Sequence, residues 1–434
     1  TGESPTISEE EAIATSVAAT LVAESTSPEE TSSDVAPDST DEPSIEPSTE
    51  IVEPTPSSVL KVAYISNGNV WLWEEGIGAV QLTNSNQAIN EVKISEDGLV
   101  IAFVAKTPAS AYEIRAVNAD GTNARTLISV DDFAAMPKPE DALVLAPFNL
   151  GWVPGTHTLA FNTRPLFEGP GLIIDNNLHL VNTDDGAHTL LLPNGQGGNF
   201  HYSPDGSQIA IVTPISITLV DADGGNRREM VTYPNIYTYS EYAYYPEPLW
   251  LPDSSALLVA IPPQDPLGDP EGPTAIWRLP ADGSAAILVR NVVTAPFFIS
   301  PVAFSPDGTQ IAYLTLGGDD TSDQRDLNIM SLDGSSTTVY DTGTLFFSNW
   351  APDSTHFAYA LDAPTNMKLG GVGSASGPLT DTGFINNVRW AGVDDILFEG
   401  GGAGSWEIRR GVPGGASFQI AYLGDEFPVF DFVK

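Results

Sequence analysis

The sequence contains no cysteine, few basic residues and no long apolar run, and each absence excludes a class of structure or partner. Without cysteine there are no disulfide bonds, thiol nucleophiles or cysteine-ligated metals. No apolar run reaches 18 residues, so no membrane-spanning helix is expected. Lys and Arg number 17 against 57 Asp and Glu, giving a formal net charge of −40. Nucleic acids and anionic membranes bind basic surfaces, so neither is an expected partner.

Sequence motifs of enzyme chemistry are also missing. The elbow Gly-x-Ser-x-Gly does not occur, and the nearest stretch, GVGSASG at 371–377, lacks its spacing. Dinucleotide-binding and Walker motifs are absent in any strand–helix context. No two histidines have the spacing of a metal pair: the five are His157, His179, His188, His201 and His356. We therefore expect a protein that is not an enzyme.

The first 60 residues differ in composition from the rest of the chain. They contain no Lys, no Arg and no aromatic residue, but 14 acidic residues and seven prolines. Such a segment buries too little apolar surface to offset the entropy lost on ordering. The composition predicts an acidic, Ser/Thr/Pro-rich arm or linker over residues 1–60, followed by a folded region over 61–434.

One stretch of this arm, residues 8–24, is richer in apolar residues. Ser8 and Glu11 have the spacing of a helix capping box. Apolar residues then recur every four positions, on one face of a helix: Ile13, Val17 and Leu21. Its β-branched residues fit a strand equally well. The arm is either a stalk or spacer, or it docks on another subunit through this stretch, as a helix in a groove or as an added strand.

From Lys61 onward, one turn pattern recurs at intervals of 40 to 58 residues. It follows a strand that ends in an aromatic residue or Ile, and it precedes a second apolar strand. Its seven copies start at Ile94, Trp152, Tyr202, Trp250, Phe304, Trp350 and Trp390. A second turn containing Asp-Gly or a close variant follows in five of these units, at 118–121, 183–186, 221–224, 280–283 and 331–334.

The clearest copies of the first turn contain Ser-Pro-Asp-Gly, at 203–206 and 305–308. Pro204 presets φ for the second position of a type I turn, and Asp205 suits the third position. Gly206 can adopt the left-handed conformation that closes a hairpin with a bulge. An active-site carboxylate would not be repeated in unit after unit, so Asp205 is expected to serve the turn.

Units of 40 to 50 residues with four short strands are typical of β-propeller blades. The Ser-Pro-Asp-Gly turn followed by Ile-Ala-Tyr, at 305–313, resembles the TolB-like propeller repeat, a relative of WD-repeat blades. The resemblance extends from Lys61 to the C-terminus and includes the propeller of prolyl oligopeptidases, whose hydrolase domain is missing here. It implies an all-β propeller and favours protein–protein contacts. Three turns depart from the pattern, at 153–155, 251–254 and 391–394.

The number of turns predicts the number of blades. Seven turns define seven blades, and the apolar unit at 62–83 has later strands without a preceding turn. The strand at the C-terminus, Phe427–Val433, has no following strands. We expect it to close the ring against Val70–Trp73 and neighbours, which gives eight four-stranded blades. Seven blades is the alternative, if one weak turn belongs to an insertion.

A tyrosine-rich stretch between two blades is the first candidate for binding. Six of the 13 tyrosines lie within residues 233–245. Tyrosine combines a large contact area with a polar hydroxyl, which suits protein interfaces and also sugars. In the alternative interpretation these rings only cover neighbouring blades. The candidate partner-binding residues here are Tyr237, Tyr239, Tyr242, Tyr244 and Tyr245.

An acidic loop at 317–326 is a weak candidate for calcium. Its carboxylates could gather around a hard cation, although most such loops are simply solvated: Asp319, Asp320, Asp323 and Asp326. No other metal or cofactor is expected.

These observations predict a non-enzymatic, extracellular or cell-surface propeller that acts as a structural or protein-interaction protein. It is expected to self-assemble, as a filament or surface layer, with the arm docked on a neighbouring subunit. The alternative is a tethered propeller, periplasmic or on the surface, that binds or cleaves a sugar or peptide in its central channel. In either case no nucleic acid and no membrane insertion is expected.

Overall fold

The computed structural model describes residues 59–85, 87–168, 177–269, 272–317 and 323–434. The first strands are β1 (Lys61–Ser66), β2 (Asn69–Glu74), β3 (Gly78–Gln81), β4 (Ala88–Ile94), β5 (Val100–Lys106), β6 (Tyr112–Asn118), β7 (Arg125–Ile128), β8 (Val144–Trp152), β9 (Thr158–Leu166), β10 (Leu178–Asn182), β11 (His188–Leu192), β12 (Asn199–Tyr202), β13 (Gln208–Val212), β14 (Ser216–Asp221), β15 (Arg228–Thr232) and β16 (Leu249–Trp250). The remaining strands are β17 (Ala256–Ile261), β18 (Thr274–Pro280), β19 (Ile287–Val292), β20 (Ala303–Phe304), β21 (Gln310–Leu316), β22 (Arg325–Ser331), β23 (Thr337–Gly343), β24 (Leu345–Trp350), β25 (His356–Leu361), β26 (Met367–Gly371), β27 (Ser374–Pro378), β28 (Asn386–Gly392), β29 (Asp395–Gly400), β30 (Trp406–Gly411), β31 (Ser417–Gly424) and β32 (Phe430–Val433).

These strands form eight antiparallel sheets of four strands each, the blades of a β-propeller. We call the strands of a blade A to D in sheet order. Blades 2 to 8 each take four consecutive strands, from β4–β7 in blade 2 to β28–β31 in blade 8. Because neighbouring strands are antiparallel, the A–B and C–D turns lie on one face of the ring. The B–C turns and the D–A connections between blades lie on the opposite face.

Blade 1 joins the two ends of the folded region. Its order is β3-β2-β1-β32, so the C-terminal strand supplies strand A. The prediction of eight blades closed by the C-terminal strand is confirmed, and the alternative of seven blades is wrong. The predicted partner was also wrong, because Phe430–Val433 pairs with Lys61–Tyr64 and not with Val70–Trp73. The latter stretch lies in β2, whose two edges are already occupied by β1 and β3.

The core lies between successive blades and consists of the side chains of strands B and C. Strand β5, for example, is buried over six of its seven residues, whereas the D strands β3 and β27 have no fully buried residue. One cluster joins Leu327 of blade 6 to Phe357 of blade 7. Burial of each such side chain contributes about 1.5–3 kcal/mol, so the interfaces between blades supply much of the stability.

The A–B turn at 203–206 is held by its own side chains. The Ser203 hydroxyl donates a hydrogen bond to Asp205 Oδ1 (2.6 Å), which also accepts from the Ser207 amide (3.0 Å). The hydrogen bonds from Ser203 and Ser207 lower the pKa of Asp205 to about 2, so the carboxylate stays ionised. Gly206 has φ of +69°. Asp205 therefore serves the turn, as its repetition along the sequence indicated.

Two of the turns that have serine in place of glycine connect neighbouring blades. Ser254 and Ser354 stand where other turns have glycine, and both adopt φ of +59°. The Ser254 hydroxyl accepts a hydrogen bond from the amide of Asp205 in the preceding blade (3.1 Å). Ser354 accepts in the same way from Asp307 (3.0 Å). Serine at these two positions thus lacks the conformational freedom of glycine but supplies a hydrogen bond between blades.

An ionic cluster on the same face closes the ring. Asp395, which is buried, accepts from Arg410 through both carboxylate oxygens (2.7 and 2.6 Å). Lys434 also contacts Asp395 (2.9 Å), and Arg410 reaches Glu75 of blade 1 (2.7 Å). The cluster therefore ties blade 8 to blade 1 and to the C-terminal residue.

One short helix, α1 (Val130–Ala135), lies between blades 2 and 3. Ser129 caps its N-terminus, since its hydroxyl accepts from the amide of Asp132 (3.2 Å). Its one buried residue, Phe133, packs edge-on against Phe161 of blade 3. No helix in the described part of the chain is long and apolar enough to cross a membrane.

Candidate functional site

A large cleft opens on the face that carries the B–C turns and D–A connections. Its volume is about 1520 Å³, and we call it the tyrosine cleft. One wall comes from blade 3 (Asn162–Phe167) and the other from the B–C turn of blade 4 (213–216). The connection from blade 4 to blade 5 also lines the cleft, through residues 235–243 and 245. The tyrosine-rich stretch of the sequence is therefore part of a cleft.

Aromatic and aliphatic side chains are exposed on the cleft surface. Tyr242 is 73% exposed, and Tyr239 and Tyr237 are about half exposed (57% and 48%). Phe148 and Ile215 on the facing walls are exposed to a similar degree. Soluble proteins seldom leave so many large apolar side chains next to one another unless the surface binds something.

The tyrosine-rich connection is anchored at both of its ends. At the start, the buried Tyr233 donates its hydroxyl to the carbonyl of Thr213 (2.6 Å). In the middle, the amide of Tyr237 donates to the carbonyl of Gln264 (2.8 Å), and the Tyr239 hydroxyl donates to Asp265. At the end, Tyr244 packs on Phe297 with ring centroids 4.2 Å apart. The exposed rings therefore project from a fixed backbone.

The candidate tyrosines divide into two groups. Tyr237, Tyr239 and Tyr242 present their rings to the cleft, whereas Tyr244 and Tyr245 are half-buried. The hydrogen bond to Asp265 raises the pKa of Tyr239, and burial raises the pKa of Tyr244 and Tyr245. These hydroxyls stay protonated near neutral pH, so they act as hydrogen-bond donors. The partial burial of Tyr244 and Tyr245 agrees with the interpretation of blade cover, whereas a binding role of Tyr237, Tyr239 and Tyr242 stays a prediction.

A buried polar network supports the floor of the cleft. The amide of Thr163 donates to the side-chain oxygen of Asn177 (2.9 Å), whose amide donates back to the Thr163 hydroxyl (2.6 Å). The side chain of Asn162 donates to the carbonyl of Gly198 (3.1 Å). A Cβ at Gly198 would lie 2.3 Å from the carbonyl oxygen of Val212, so this close approach requires glycine. The network thus fixes the connection between blades 3 and 4.

Charged side chains of both signs line the cleft. Arg164 lies over the ring of Phe148 (5.6 Å to the centroid), and Arg227 donates to the carbonyl of Gln196 (2.7 Å). Neither arginine has a carboxylate within 4.0 Å among the residues that the structure describes. Glu229 and Glu241 also line the cleft. The cleft therefore presents two cationic groups that have no ion-pair partner among the described residues of a strongly acidic protein.

A smaller cavity of about 170 Å³ adjoins the cleft and shares Tyr245 with it. Tyr244 and Phe297 form its aromatic wall. Ser300 also lines it, and its buried hydroxyl has no hydrogen-bond partner within the described chain.

Two of the sequence predictions rest wholly or partly on residues outside the described chain. Ile13, Val17 and Leu21, with the rest of the arm up to residue 58, lie outside it. Of the calcium candidates, Asp319 and Asp320 also lie outside it. Asp326 accepts from the Thr342 hydroxyl (2.6 Å), and the described residues bring together no group of three or more acidic or histidine side chains suited to a metal. The calcium site stays a prediction.

The histidines have local structural partners that their spacing in sequence did not indicate. His157 bridges Asp97 (2.8 Å) and Asp184 (3.1 Å), which joins blades 2 and 3 on the face of the A–B turns. His179 and His188 stack with ring centroids 5.2 Å apart, and burial lowers the pKa of His179 to about 4. None of these three lines the tyrosine cleft.

Sequence reasoning identified the tyrosines of the cleft but missed its other walls. Four residues of these walls carry no sequence pattern of their own: Phe148, Arg164, Ile215 and Arg227. They belong to two blades and come together only in the folded ring. The sequence also has a long stretch with Gly and Pro at 164–174, whose first residues line a cleft wall.

Comparison with known proteins gives a likeness of fold only. No protein-family model and no curated protein matches the sequence. A solved dipeptidyl peptidase 4 from Porphyromonas gingivalis is similar over 83% of this chain and 57% of its own, with 11% identity and a TM-score of 0.53. A eukaryotic initiation factor is similar over 87% of this chain and 98% of its own, with 13% identity and a TM-score of 0.51.

TolB from Acinetobacter baumannii is also among the similar structures, over 64% of this chain and 62% of its own, with 12% identity and a TM-score of 0.32. This chain therefore spans less than two thirds of the TolB and peptidase chains. Solved TolB and peptidase structures are thus among those similar to this chain, as the sequence predicted. By its fold, the chain is an eight-bladed β-propeller with four-stranded antiparallel blades.

Proposed function

We propose that this chain is a non-enzymatic propeller that works through protein contacts and assembles with copies of itself. The observation that carries the proposal is the group of exposed apolar rings in the tyrosine cleft, with two arginines beside them. Tyrosine and arginine dominate the energetics of protein interfaces. Small-molecule pockets measure roughly 300–1000 Å³, so a cleft of about 1520 Å³ suits a polypeptide segment better.

The non-enzymatic part of the proposal rests on the sequence, which lacks the motif spacings of nucleophilic and metal-dependent enzymes. The cleft surface adds support, because its functional groups are those of recognition: tyrosine hydroxyls, arginines, amides and exposed glutamates. The proposed partner is protein, and the proposed location is outside the cell or on its surface, with the periplasm as the alternative.

The proposed self-assembly uses the N-terminal arm, whose residues 8–24 are apolar enough to dock on a neighbouring subunit. The test compares the full chain with an arm variant that carries Ile13→Asp, Val17→Asp and Leu21→Asp. Light scattering and electron microscopy over a hundredfold range of concentration should show growing particles for the wild type only. A wild-type chain that is monomeric throughout this range would refute self-assembly.

A monomeric wild type would leave the ligand-binding alternative to be examined. Titration with oligosaccharides and short peptides, followed by tyrosine and tryptophan fluorescence, would then show whether the cleft or channel binds a small ligand. Turnover of any such ligand would refute the non-enzymatic proposal. Surface labelling of intact cells separates an external location from a periplasmic one, because only external protein reacts with a label that cannot enter the cell.

A further inference from the structure

We propose that the tyrosine cleft of one copy receives residues 8–24 of a second copy, so that the copies join head to tail. This inference rests on the proposed function and adds the docking site, the polarity and the kind of assembly. Three observations carry it: the position at which the chain enters the propeller, the face on which the cleft opens, and the chemistry of segment and cleft.

The chain enters the propeller on the face of the A–B and C–D turns. Leu60, just before β1, accepts a hydrogen bond through its carbonyl from the amide of Glu75 (3.0 Å). Glu75 lies in the C–D turn of blade 1, between β2 and β3. The arm therefore starts at the face of the turns, whereas the tyrosine cleft opens on the opposite face.

This placement favours docking between copies. In a stack of propellers that face the same way, the arm of one copy starts next to the cleft face of its neighbour. Residues 25–58 number 34, and a chain of that length spans at most about 120 Å when fully extended. Strands such as β5, with seven residues, are about 23 Å long. The connection is thus long enough to reach the next copy. The cleft of the same copy opens on the face opposite to Leu60.

The segment and the cleft are chemically complementary. The segment offers Ile13, Val17 and Leu21 in regular spacing, and the cleft offers exposed aromatic rings. Three consecutive acids, Glu9 to Glu11, precede these apolar residues, and the cleft holds Arg164 and Arg227 without ion-pair partners in the described chain. Glu229 and Glu241 partly repel the acidic residues of the segment, so docking requires the apolar contact together with both arginines.

A contact between two different surfaces has a definite consequence for the assembly. Each copy carries one arm and one cleft, so docking leaves a free arm at one end and a free cleft at the other. Such a heterologous contact continues until it closes a ring or grows as an open filament. The structure therefore predicts a polar assembly without two-fold symmetry between neighbours.

The test uses full-length variants and measures the concentration at which particles first form. A cleft variant, Tyr237→Ala with Tyr242→Ala, is expected to raise this concentration at least tenfold. Tyr422→Ala is the matched control, because Tyr422 is 58% exposed on β31, away from the cleft, and it should assemble like the wild type. If the cleft variant proves misfolded by circular dichroism, Arg164→Glu replaces it, with the same expected result and a stronger effect at low salt.

Mixing variants tests the polarity. The arm variant keeps its cleft, and the cleft variant keeps its arm, so an equimolar mixture should form a one-to-one dimer that grows no further. Light scattering after size-exclusion chromatography measures its mass. The inference is overturned if the cleft variants assemble like the wild type or if the mixture contains monomers only. If the wild type still assembles when either of these results is found, self-assembly holds and only the cleft as its docking site is refuted. A monomeric wild type whose cleft binds oligosaccharide would overturn both.

Discussion

The two faces of this propeller are built on different principles. The face of the A–B and C–D turns repeats one local solution, which is clearest at 203–206 and 305–308, where a carboxylate, a hydroxyl and a left-handed glycine close the turn. Hydrogen bonds and ion pairs then join one blade to the next, as between Asp205 and Ser254. The opposite face has connections of unequal length, and blades 3 and 4 form the tyrosine cleft there together with the connection to blade 5.

Under the proposed function, this difference separates the residues that stabilise the ring from those that recognise a partner. A feature that every blade needs is repeated along the sequence and stabilises the ring. A feature that binds a partner needs to occur once, so it is found where the repeat is interrupted. Substitutions on the face of the turns should therefore change the free energy of unfolding, whereas substitutions in the cleft should change assembly. The following predictions test this separation, beginning with the largest expected effect on stability.

The first prediction concerns ring closure. Arg410→Met leaves the buried Asp395 without its bidentate partner and removes the contact with Glu75. Lys434 still contacts Asp395, so we expect a loss of about 3 kcal/mol, the lower end of the range for breaking a buried ion pair. Urea unfolding followed by circular dichroism should show this loss. Arg228→Met is the control, because its pair with Asp221 is partly exposed and worth below about 1 kcal/mol. Equal losses for the two variants would contradict the account.

The second prediction concerns the geometry of the A–B turn. Gly308→Ala places a methyl group 2.3 Å from Leu251 of the preceding blade, at φ of +70°. Gly155→Ala imposes a similar φ, +67°, in open space. The left-handed conformation alone costs about 1–2 kcal/mol, so the variant at residue 155 should lose this much and the variant at residue 308 more. A smaller loss of unfolding free energy for Gly308→Ala than for Gly155→Ala would contradict this account, because the added methyl group would then meet no resistance from the preceding blade.

The third prediction concerns pH and the bridge between blades 2 and 3. Burial lowers the pKa of His157, but the hydrogen bonds and charges of Asp97 and Asp184 outweigh this effect and raise it overall. A raised pKa means that the bridge contributes fully below the unfolded value, near 6.5, and is lost as pH rises through the folded value. The difference in unfolding free energy between wild type and His157→Gln should therefore be larger at pH 5.5 than at pH 8.5.

His179 provides the opposite sign within blade 3. Burial lowers its pKa to about 4, so its contribution is present above pH 6.5 and falls as the pH approaches 4.

A further variant tests the bridge of His157. Asp184→Asn, which keeps one partner of His157, should reduce the pH dependence of the bridge without reversing it. A wild type and a His157→Gln variant with the same pH dependence would show that the bridge does not form.

The fourth prediction is the smallest effect on folding. Tyr242→Ala removes a ring that is 73% exposed, so its loss should change the unfolding free energy by no more than about 0.5 kcal/mol. The same substitution belongs to the cleft variant that is expected to impair assembly. A large loss of stability would indicate that the ring covers the blades, which is the interpretation that the sequence left open.

Much of the fold could be predicted from the sequence because its cause is local and repeated. Turn residues such as Pro204, Asp205 and Gly206 determine their own geometry, so the turns and the number of blades could be counted. The partner of the C-terminal strand was assigned wrongly, since the sequence does not show which edge of the first blade is free. Pairing with Lys61–Tyr64 depends on the order of strands in the sheet.

The cleft could be predicted only in part. The tyrosines stand out because they are close together in sequence, and their partial burial could not be predicted because it depends on Phe297 and Gln264, which lie in other loops. Phe148 and Arg164 belong to blade 3, and Ile215 belongs to blade 4. Side chains from separate blades meet through the curvature of the ring, which no local pattern encodes.

The most direct test of the central claim is a photochemical cross-link from the cleft. A benzophenone amino acid at position 242 would react with whatever occupies the cleft in the assembled full-length chain. With one half of the protein labelled with heavy isotopes, mass spectrometry distinguishes cross-links between copies from those within one copy. The account predicts that the captured peptide comes from residues 8–24 and that light and heavy copies are joined. Capture of another segment, or of the same segment within one copy only, would contradict it.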